Sequence, residues 1–206
     1  MNVTSTNIRA GRPSSPVSWT PPDAVGDEKG HPVNLDEFNA LDSAAAAQTV
    51  GVWAAVPGWV DAIVVARPYP SRDALIAYAG GLAEVWSRAD LDAALAHHPR
   101  IGEKPKGTGA EAAASRTEQA SMAAAADEVT AAIAAGNRAY EERFGRVFLI
   151  RAAGRSPVEM LAELRRRLGN DDSTEAREAT VQLAEIALLR LQTTIESDAA
   201  EPEDAE

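Results

Sequence analysis

Residues 97–119 read HHPRIGEKPKGTGAEAAASRTEQ, and the rest of the chain is best interpreted around this stretch. It opens with a loop that carries His98 and continues through a connection rich in Gly, Lys and Pro. An alanine-rich helix is predicted next, and it carries Ser115, Glu118 and Gln119. Because these three residues are spaced i, i+3 and i+4, their side chains share one helical face. The sequence therefore places a histidine close to a hydroxyl, a carboxylate and an amide.

The composition excludes several classes of protein. The 206 residues carry a formal net charge of −11 without a basic cluster, which argues against a nucleic-acid partner. The absence of cysteine removes disulfides, thiolate catalysis and cysteine-ligated metals, and with three histidines in all a multi-histidine metal site is not easily built. The longest apolar run, residues 59–66, is too short to span a membrane and contains Asp61. With no secretory signal pattern either, we expect a cytoplasmic protein that has no membrane partner and no metal site.

Apolar residues recur at helical spacing between residues 33 and 196, so the predicted fold is all-α, a single-domain bundle of about eight or nine helices. The ends, 1–32 and 197–206, lack this periodicity and are predicted to be disordered tails, the second of them acidic. Residues 147–150 form a β-like run that is too short to predict a sheet. We predict helices near 34–41, 44–56, 59–66, 72–86, 91–97, 110–135, 138–144, 157–168 and 173–195.

Local signals predict where these helices begin and end. Asn34, Ser71 and Asp90 are predicted N-caps, and residues 156–159 combine a Ser cap, Pro at the first position and a capping-box Glu. The pair Gly136–Asn137 is predicted to end the alanine-rich helix.

Two further expectations concern packing. The pair Gly80–Gly81 is costly within a helix and predicts close packing against a neighbour. In the last helix, an apolar stripe is predicted through Val181, Ala184, Leu188, Leu191 and Ile195. A second predicted stripe, through Leu183, Ile186 and Leu189, widens its apolar surface.

The two motifs of the opening stretch, HPRIGE at 98–103 and S-x-x-E-Q at 115–119, together resemble the 2-oxo-4-hydroxy-4-carboxy-5-ureidoimidazoline (OHCU) decarboxylases of urate degradation. The resemblance extends from about residue 35 to residue 195. It includes WV at 59–60, RPYPS at 67–71, YEERFG at 140–145, FLI at 148–150, GRS at 154–156, EML at 159–161 and RLGN at 167–170.

The resemblance implies a cofactor-free lyase that converts OHCU to (S)-allantoin and CO2, and that is typically a homodimer. It implies that His98 is the catalytic histidine, acting in proton transfer, and that Glu118 is the catalytic glutamate. Ile101 is expected to line the pocket with Pro99, and the backbone near 148–150 to hydrogen-bond the substrate ring. The substrate-binding residues that it implies are Pro99, Ser115, Gln119, Phe148, Ile150 and Arg155.

Several alternatives stay open from the sequence. Some family members place a substrate-binding arginine where this chain has Ala153, and Arg151 and Arg155 flank that position. Asn137 either faces the pocket or caps a helix. The proton comes either from a protonated, buried Glu118 or from a His98 imidazolium held by an ionised Glu118; we favour the second arrangement. The rival class of function is a helical module of the same fold that binds a ureide with little or no turnover.

Overall fold

The computed structural model describes residues 33–96, 98–103 and 109–196. These residues form nine α-helices, one 3-10 helix and no β-strand, which confirms the predicted all-α fold. Both predicted tails and residues 104–108 of the Gly/Lys/Pro connection lie outside the described residues. The helices are α1 (Leu35–Ala40), α2 (Ser43–Trp53), α3 (Pro57–Val65), α4 (Arg72–Ala83), α5 (Arg88–Leu95), α6 (Ala110–Glu118), the 3-10 helix (Ala120–Ala124), α7 (Asp127–Phe144), α8 (Pro157–Arg167) and α9 (Asp172–Thr194).

Most helix starts follow from local sequence. Asn34 and Ser156 form complete capping boxes, and the Ser71 hydroxyl accepts from the backbone N–H of the third residue of α4, as predicted. The predicted cap Asp90 is wrong, because Ser87 caps α5 instead. Asp90 is the third residue of that helix, and its carboxylate accepts from the backbone N–H of Ser87 at 2.8 Å.

The predicted helix 110–135 is wrong, because the chain breaks it after Glu118. A 3-10 turn and an extended residue, Ala126, separate α6 from α7. The hydroxyl of Ser121 in this turn donates to the carbonyl of Arg155 at 3.1 Å, a tertiary contact that alanine content does not predict. The predicted end at Gly136–Asn137 is also wrong, since α7 continues through both residues to Phe144.

The helices enclose two apolar clusters. The first lies between α1–α5 and α9 and includes Trp53, Ile63 and Leu183. The second lies between α7, α8 and the extended segment 147–152. Along that segment Leu149 enters the first cluster, while Phe148 and Ile150 enter the second. This alternation is typical of an extended chain, so the β-like run at 147–150 joins the two clusters without belonging to a sheet.

Helix α9 crosses the molecule against α2, α4 and α5. Its buried face includes Leu183, Ile186 and Leu191, whereas Val181 is 56% exposed. The predicted stripe through Val181 is therefore rotated from the observed one. The second predicted stripe, through Leu183 and Ile186, describes the buried face better.

The glycine pair of α4 is only partly explained by packing. A side chain at Gly80 would meet Leu188 of α9 at 3.7 Å, an ordinary contact distance, while Gly81 has open space around it. The close approach is instead in α7, where a Cβ on Gly136 would lie 2.5 Å from Leu164 of α8.

Candidate active site

The loop after α5 carries His98. The last turn of α5 closes with a hydrogen bond from the His98 backbone N–H to the carbonyl of Leu95, at 3.2 Å. Two residues of the loop, His98 and Pro99, are half-buried, and Ile101 is buried in the second apolar cluster. The loop therefore has one apolar anchor, Ile101, and presents His98 close to it.

Helix α6 supplies Ser115 and Glu118 on one face, as the sequence predicted, and that face meets Arg190 of α9. The Nε of Arg190 donates to Glu118 Oε1 at 2.6 Å, and a terminal nitrogen donates to Glu118 Oε2 at 3.0 Å. The same guanidinium donates to Ser115 Oγ at 3.2 Å and to the carbonyl of Val52 in α2 at 2.9 Å. Ser115 and Arg190 are buried, at 1% and 4% exposed. Arg190 of α9 thus binds α6 through a bidentate ion pair with Glu118 and binds α2 through the carbonyl of Val52.

The electrostatics of His98 differ from the favoured expectation. Burial first, and then the positive charge of Arg190, lower the pKa of His98 from 6.5 to about 3. The lowered pKa favours a neutral imidazole at neutral pH and argues against the imidazolium that was expected for the free protein. The physical reason is that the carboxylate of Glu118 is paired with Arg190, and the positive charge of Arg190 acts on His98.

Gln119 ends α6 and reaches back to the histidine loop. Its Oε1 accepts a hydrogen bond from the backbone N–H of Gly102 at 2.9 Å. The oxygen of this predicted ligand-binding amide is therefore engaged, and Nε2 is the half of the amide that is left to donate. Asn137, for which a helix cap was one alternative, is instead buried in the middle of α7.

Residues 148–150 were predicted to contribute to substrate binding, and their backbone groups are the part that remains for this role. The side chains of Phe148 and Ile150 are core residues, at 2% and 4% exposed. The carbonyl of Leu149 accepts from Arg167 at 2.7 Å, and the N–H of Arg151 donates to Gln182 at 3.0 Å. These contacts fix the segment from two sides.

The two candidate substrate arginines point to different neighbours. Arg151 is held by Glu185 at 3.1 Å and by the carbonyl of Ala153 at 3.3 Å. The pKa of Glu159 is lowered mainly by hydrogen bonds from Ser156 and, to a smaller extent, by the positive charge of Arg155. Among the described residues neither arginine side chain hydrogen-bonds or pairs with Glu118, and the role of Arg155 stays a prediction.

Arg190 was missed in the sequence, although a signal for it exists. It stands within the run ALLRLQ and shares the buried face of α9 with Leu183, Ile186 and Leu191. An arginine on the apolar face of a helix requires a buried carboxylate or carbonyl partner. The sequence pattern shows that need but does not reveal that Glu118, 72 positions away, supplies it.

Other features of the described residues do not add to this site. A cavity of about 500 Å3 lies between α5 and the end of α7, bordered by Leu95, Phe144 and Arg146, and none of the predicted site residues line it. Within the described ranges, no three His, Cys, Asp or Glu side chains are grouped as metal ligands. None of the described helices is both long and apolar enough to cross a membrane.

A helical domain that brings a neutral histidine beside an arginine-bound carboxylate has the groups of an acid–base enzyme. The sequence profile of the OHCU decarboxylases matches residues 39–192, and the chain belongs to that family. The 2-oxo-4-hydroxy-4-carboxy-5-ureidoimidazoline decarboxylase of Haloferax volcanii is 29% identical over 170 residues, covering 82% of this chain and 99% of the relative. The enzyme of the same name from Amia calva is 28% identical, covering 81% of this chain and 97% of the relative.

Solved structures agree with this assignment. A crystal structure of OHCU decarboxylase in the presence of (S)-allantoin matches with a TM-score of 0.59 and 25% identity, over 68% of this chain and 92% of that one. A crystal structure of (S)-allantoin synthase matches with a TM-score of 0.57 and 18% identity, over 79% of this chain and 54% of that one, and supports the fold alone.

Proposed function

We propose that the protein is a carboxy-lyase that decarboxylates OHCU to (S)-allantoin and CO2 during urate degradation. The observation that carries the proposal is the convergence of His98, Ser115 and Glu118 with Arg190 in a member of the OHCU decarboxylase family. The similar structure obtained in the presence of (S)-allantoin supports the identity of the product.

The substrate carries its own electron sink. When the bond to the carboxylate breaks, CO2 leaves, and the electron pair moves toward the neighbouring C=N of the imidazoline. One proton from solvent neutralises the negative charge that remains on the ring and gives an enol. The enol becomes the ring carbonyl of allantoin when its O–H proton is removed and a proton is added to the adjacent carbon. Because this scheme needs no external electron acceptor, we propose that the enzyme is cofactor-free.

His98 is well suited to the second half of this scheme. A neutral imidazole accepts the enol proton as a general base, and the resulting imidazolium is an acid that can protonate carbon. The negative charge of a bound substrate raises the pKa of His98, so the proton is held more easily in the complex than in the free enzyme. Glu118, fixed by Arg190, orients the reacting groups, and the fixed donors of the site favour the charge that develops on the ring.

The remaining predicted residues form the walls and the polar contacts of the proposed site. Ser115 accepts from Arg190 and keeps its own proton to donate. Gln119 Nε2 has no acceptor among the described residues and is proposed to donate to a ring or ureido carbonyl, and Pro99 contributes to the wall beside His98. Backbone groups of Phe148 and Ile150, together with the Arg155 side chain, complete the proposed substrate-binding set.

The test of the proposed function is turnover of freshly prepared OHCU, followed by the circular dichroism of the allantoin formed. The wild-type protein should give (S)-allantoin, and His98→Asn should lose nearly all activity while remaining folded. Glu118→Gln should lose rate by about 10²- to 10⁴-fold, the usual scale for acid–base groups. Glu142→Gln, on the exposed side of α7, is the matched control and should keep wild-type activity.

Each outcome has a distinct meaning. Wild-type levels of turnover by His98→Asn would overturn the site assignment. Racemic allantoin formed by Glu118→Gln at an enzyme-dependent rate would identify Glu118, rather than His98, as the source of the stereospecific proton. A wild-type protein that binds allantoin without turning over OHCU would instead support the ureide-binding module.

We also propose that the active protein is a cytoplasmic homodimer that needs no metal. Full activity after exhaustive dialysis against EDTA supports the metal-free proposal, whereas activity lost and then restored by one divalent ion contradicts it. Sedimentation velocity of the purified protein measures the oligomeric state directly, and a monomer at working concentration would contradict the dimer.

A further inference from the structure

One peptide group in the histidine loop is held from both sides by side-chain amides. The carbonyl of Ile101 accepts from Asn137 Nδ2 at 2.9 Å, and the N–H of Gly102 donates to Gln119 Oε1 at 2.9 Å. These two backbone groups belong to the same peptide bond. Gly102 has a φ of +81°, a conformation that glycine adopts readily.

The two amides come from different elements. Asn137 lies in the middle of α7, and Gln119 ends α6. One helical turn beyond Asn137, Glu141 forms an ion pair with Arg100 of the same loop. Asn137 and Glu141 are spaced i, i+4, so one face of α7 forms the base on which the loop rests.

The Ile101–Gly102 peptide determines which end of each side-chain amide faces it. A peptide carbonyl can only accept, so Asn137 must turn its nitrogen toward Ile101. A peptide N–H can only donate, so Gln119 must turn its oxygen toward Gly102. It follows that Gln119 presents its NH2 group, and not its carbonyl, to whatever lies on its other side.

The burial of Asn137 indicates a role other than stability. The residue is 3% exposed, and its Oδ1 has no hydrogen-bond partner among the described residues. An unpaired amide oxygen in the protein interior destabilises the fold, whereas a leucine of similar size would not carry this penalty. A buried polar group of this kind therefore calls for an explanation other than packing.

We propose that Asn137 is a positioning residue that orients the Ile101–Gly102 peptide and, through it, both the His98 loop and the donor side of Gln119. The proposal rests on the proposed function for its effect on turnover, but its structural part does not depend on it. By fixing a donor at Gln119, the arrangement selects a substrate carbonyl at that point of the site.

The first experiment follows hydrogen–deuterium exchange of the Gly102 amide in the free protein. Gly102 is exposed, so its bond to Gln119 is the contact that protects its N–H. Asn137→Ala should abolish this protection. The control is Asn39→Ala, which removes a comparable amide that bonds both backbone groups of Tyr69 at 2.9 Å, and it should leave Gly102 protected.

The second experiment compares kinetics. Asn137→Ala should lower kcat by up to about 100-fold, the effect of a displacement near 1 Å at a catalytic group, with less change in KM. Asn39→Ala should keep the wild-type kcat even if it lowers the melting temperature. Unchanged Gly102 protection in Asn137→Ala, or equal kinetic losses in both variants, would overturn the proposal.

The third experiment tests the polarity at Gln119. Gln119→Glu keeps an oxygen for Gly102 but replaces the donor on the other side, so protection should persist while KM rises. Gln119→Leu, at a half-exposed position, lacks both the oxygen and the donor, so the Gly102 protection should be lost and KM should rise. This variant also supplies the exchange result if Asn137→Ala does not fold. Loss of protection in Gln119→Glu, or an unchanged KM, would contradict the assigned polarity. If wild-type protein fails to turn over OHCU, the proposed function fails while the exchange results still decide the positioning role.

Discussion

Arg190 shows how a single residue defines the candidate site. Its guanidinium makes four hydrogen bonds, to both carboxylate oxygens of Glu118, to Ser115 and to a carbonyl of α2. A buried charge is tolerated when it is paired and hydrogen-bonded, and here an ion pair and acceptors for four of the five N–H donors meet that need. The consequence for chemistry is indirect: the positive charge acts on His98 and contributes to keeping its imidazole neutral.

The histidine of this site could be predicted from the sequence, but its protonation state could not. The motif around His98 identifies the residue through local pattern alone. Its pKa depends on burial and on the charge of Arg190, a residue that lies 92 positions further along the chain. An expectation built on Glu118 alone therefore leaves out the charge that lowers the pKa of His98.

A first prediction concerns the stability of the protein in weak acid. Burial lowers the pKa of His98 to about 3, so between that value and 6.5 the unfolded chain binds a proton that the folded chain does not. Stability should therefore fall as pH falls below 6.5, and His98 should contribute a slope approaching about 1.4 kcal/mol per pH unit. Urea unfolding of wild type and His98→Asn at several pH values measures the difference.

In the upper part of this pH range, the pH dependence of stability comes mainly from His98. Most of the carboxylates with lowered pKa values, such as Glu141 and Asp172, are unprotonated in both states until the pH approaches their ordinary unfolded values near 4. Between about pH 5 and 6.5 the His98→Asn protein should therefore show the flatter profile. Parallel profiles for the two proteins would show that His98 is not buried as a neutral group.

A second prediction concerns the buried pair Arg167–Glu175, whose side chains are 1% and 0% exposed. Glu175 also accepts from Tyr140 and, at 2.8 Å, from Asn170. Glu175→Gln removes the close counter-charge of the guanidinium and leaves only Glu178, 3.9 Å from Arg167, so it should destabilise the fold by about 3–5 kcal/mol. Glu178→Gln, where the carboxylate is 33% exposed, is the control and should cost less than about 1 kcal/mol. Chemical denaturation compares them, and equal losses would contradict the prediction.

At the scale of elements, three of the four predicted N-caps are confirmed, whereas the interruptions of the helices were not predicted. The boxes at Asn34 and Ser156 involve residues three positions apart, so the sequence contains all the information they require. The break after Glu118 and the continuation of α7 through Gly136 depend on contacts with α8 and with two loops. Helix propensity is a weak preference that such tertiary contacts override.

Three helical glycines provide a third prediction, because only one of them is crowded. A Cβ at Gly136 would overlap Leu164, which is fully buried, whereas a Cβ at Gly51 or Gly81 would meet no neighbouring side chain or packed backbone atom within 4 Å. Gly81→Ala and Gly51→Ala should each stabilise the protein by up to about 1 kcal/mol through helix propensity. Gly136→Ala should destabilise it, since overpacking costs about 1–3 kcal/mol and exceeds that gain. Thermal unfolding of the three variants gives the signs, and a stabilised Gly136→Ala would show that α7 and α8 can separate without cost.

At the scale of the whole molecule, the two ends of the described domain meet. Val33 and Ile195 form an isolated parallel bridge, with hydrogen bonds from Val33 N–H to the carbonyl of Thr194 at 2.8 Å and from Glu196 N–H to the carbonyl of Val33 at 3.1 Å. Arg72 of α4 adds a bond to the carbonyl of Ile195 at 2.9 Å. The sequence predicted the ends of the domain near residues 33 and 196 from the loss of periodicity. It could not predict that these ends pair, because the partners are separated by the whole fold.

The last prediction tests separately what the tails and the Val33–Ile195 bridge contribute to stability. A chain trimmed to residues 31–198 retains the bridge and the Arg72 contact, and the segments it loses lack apolar periodicity. It should melt within a few degrees of the full-length protein and keep its activity. A chain trimmed further, to residues 35–192, loses the bridge and the carbonyl of Ile195, so α9 and the start of α1 lose their mutual anchor and the melting temperature should fall clearly. Differential scanning calorimetry of the three proteins decides between the outcomes. A large drop already at 31–198 would show that a tail docks on the domain, and equal melting of the two trimmed chains would show that the bridge contributes little.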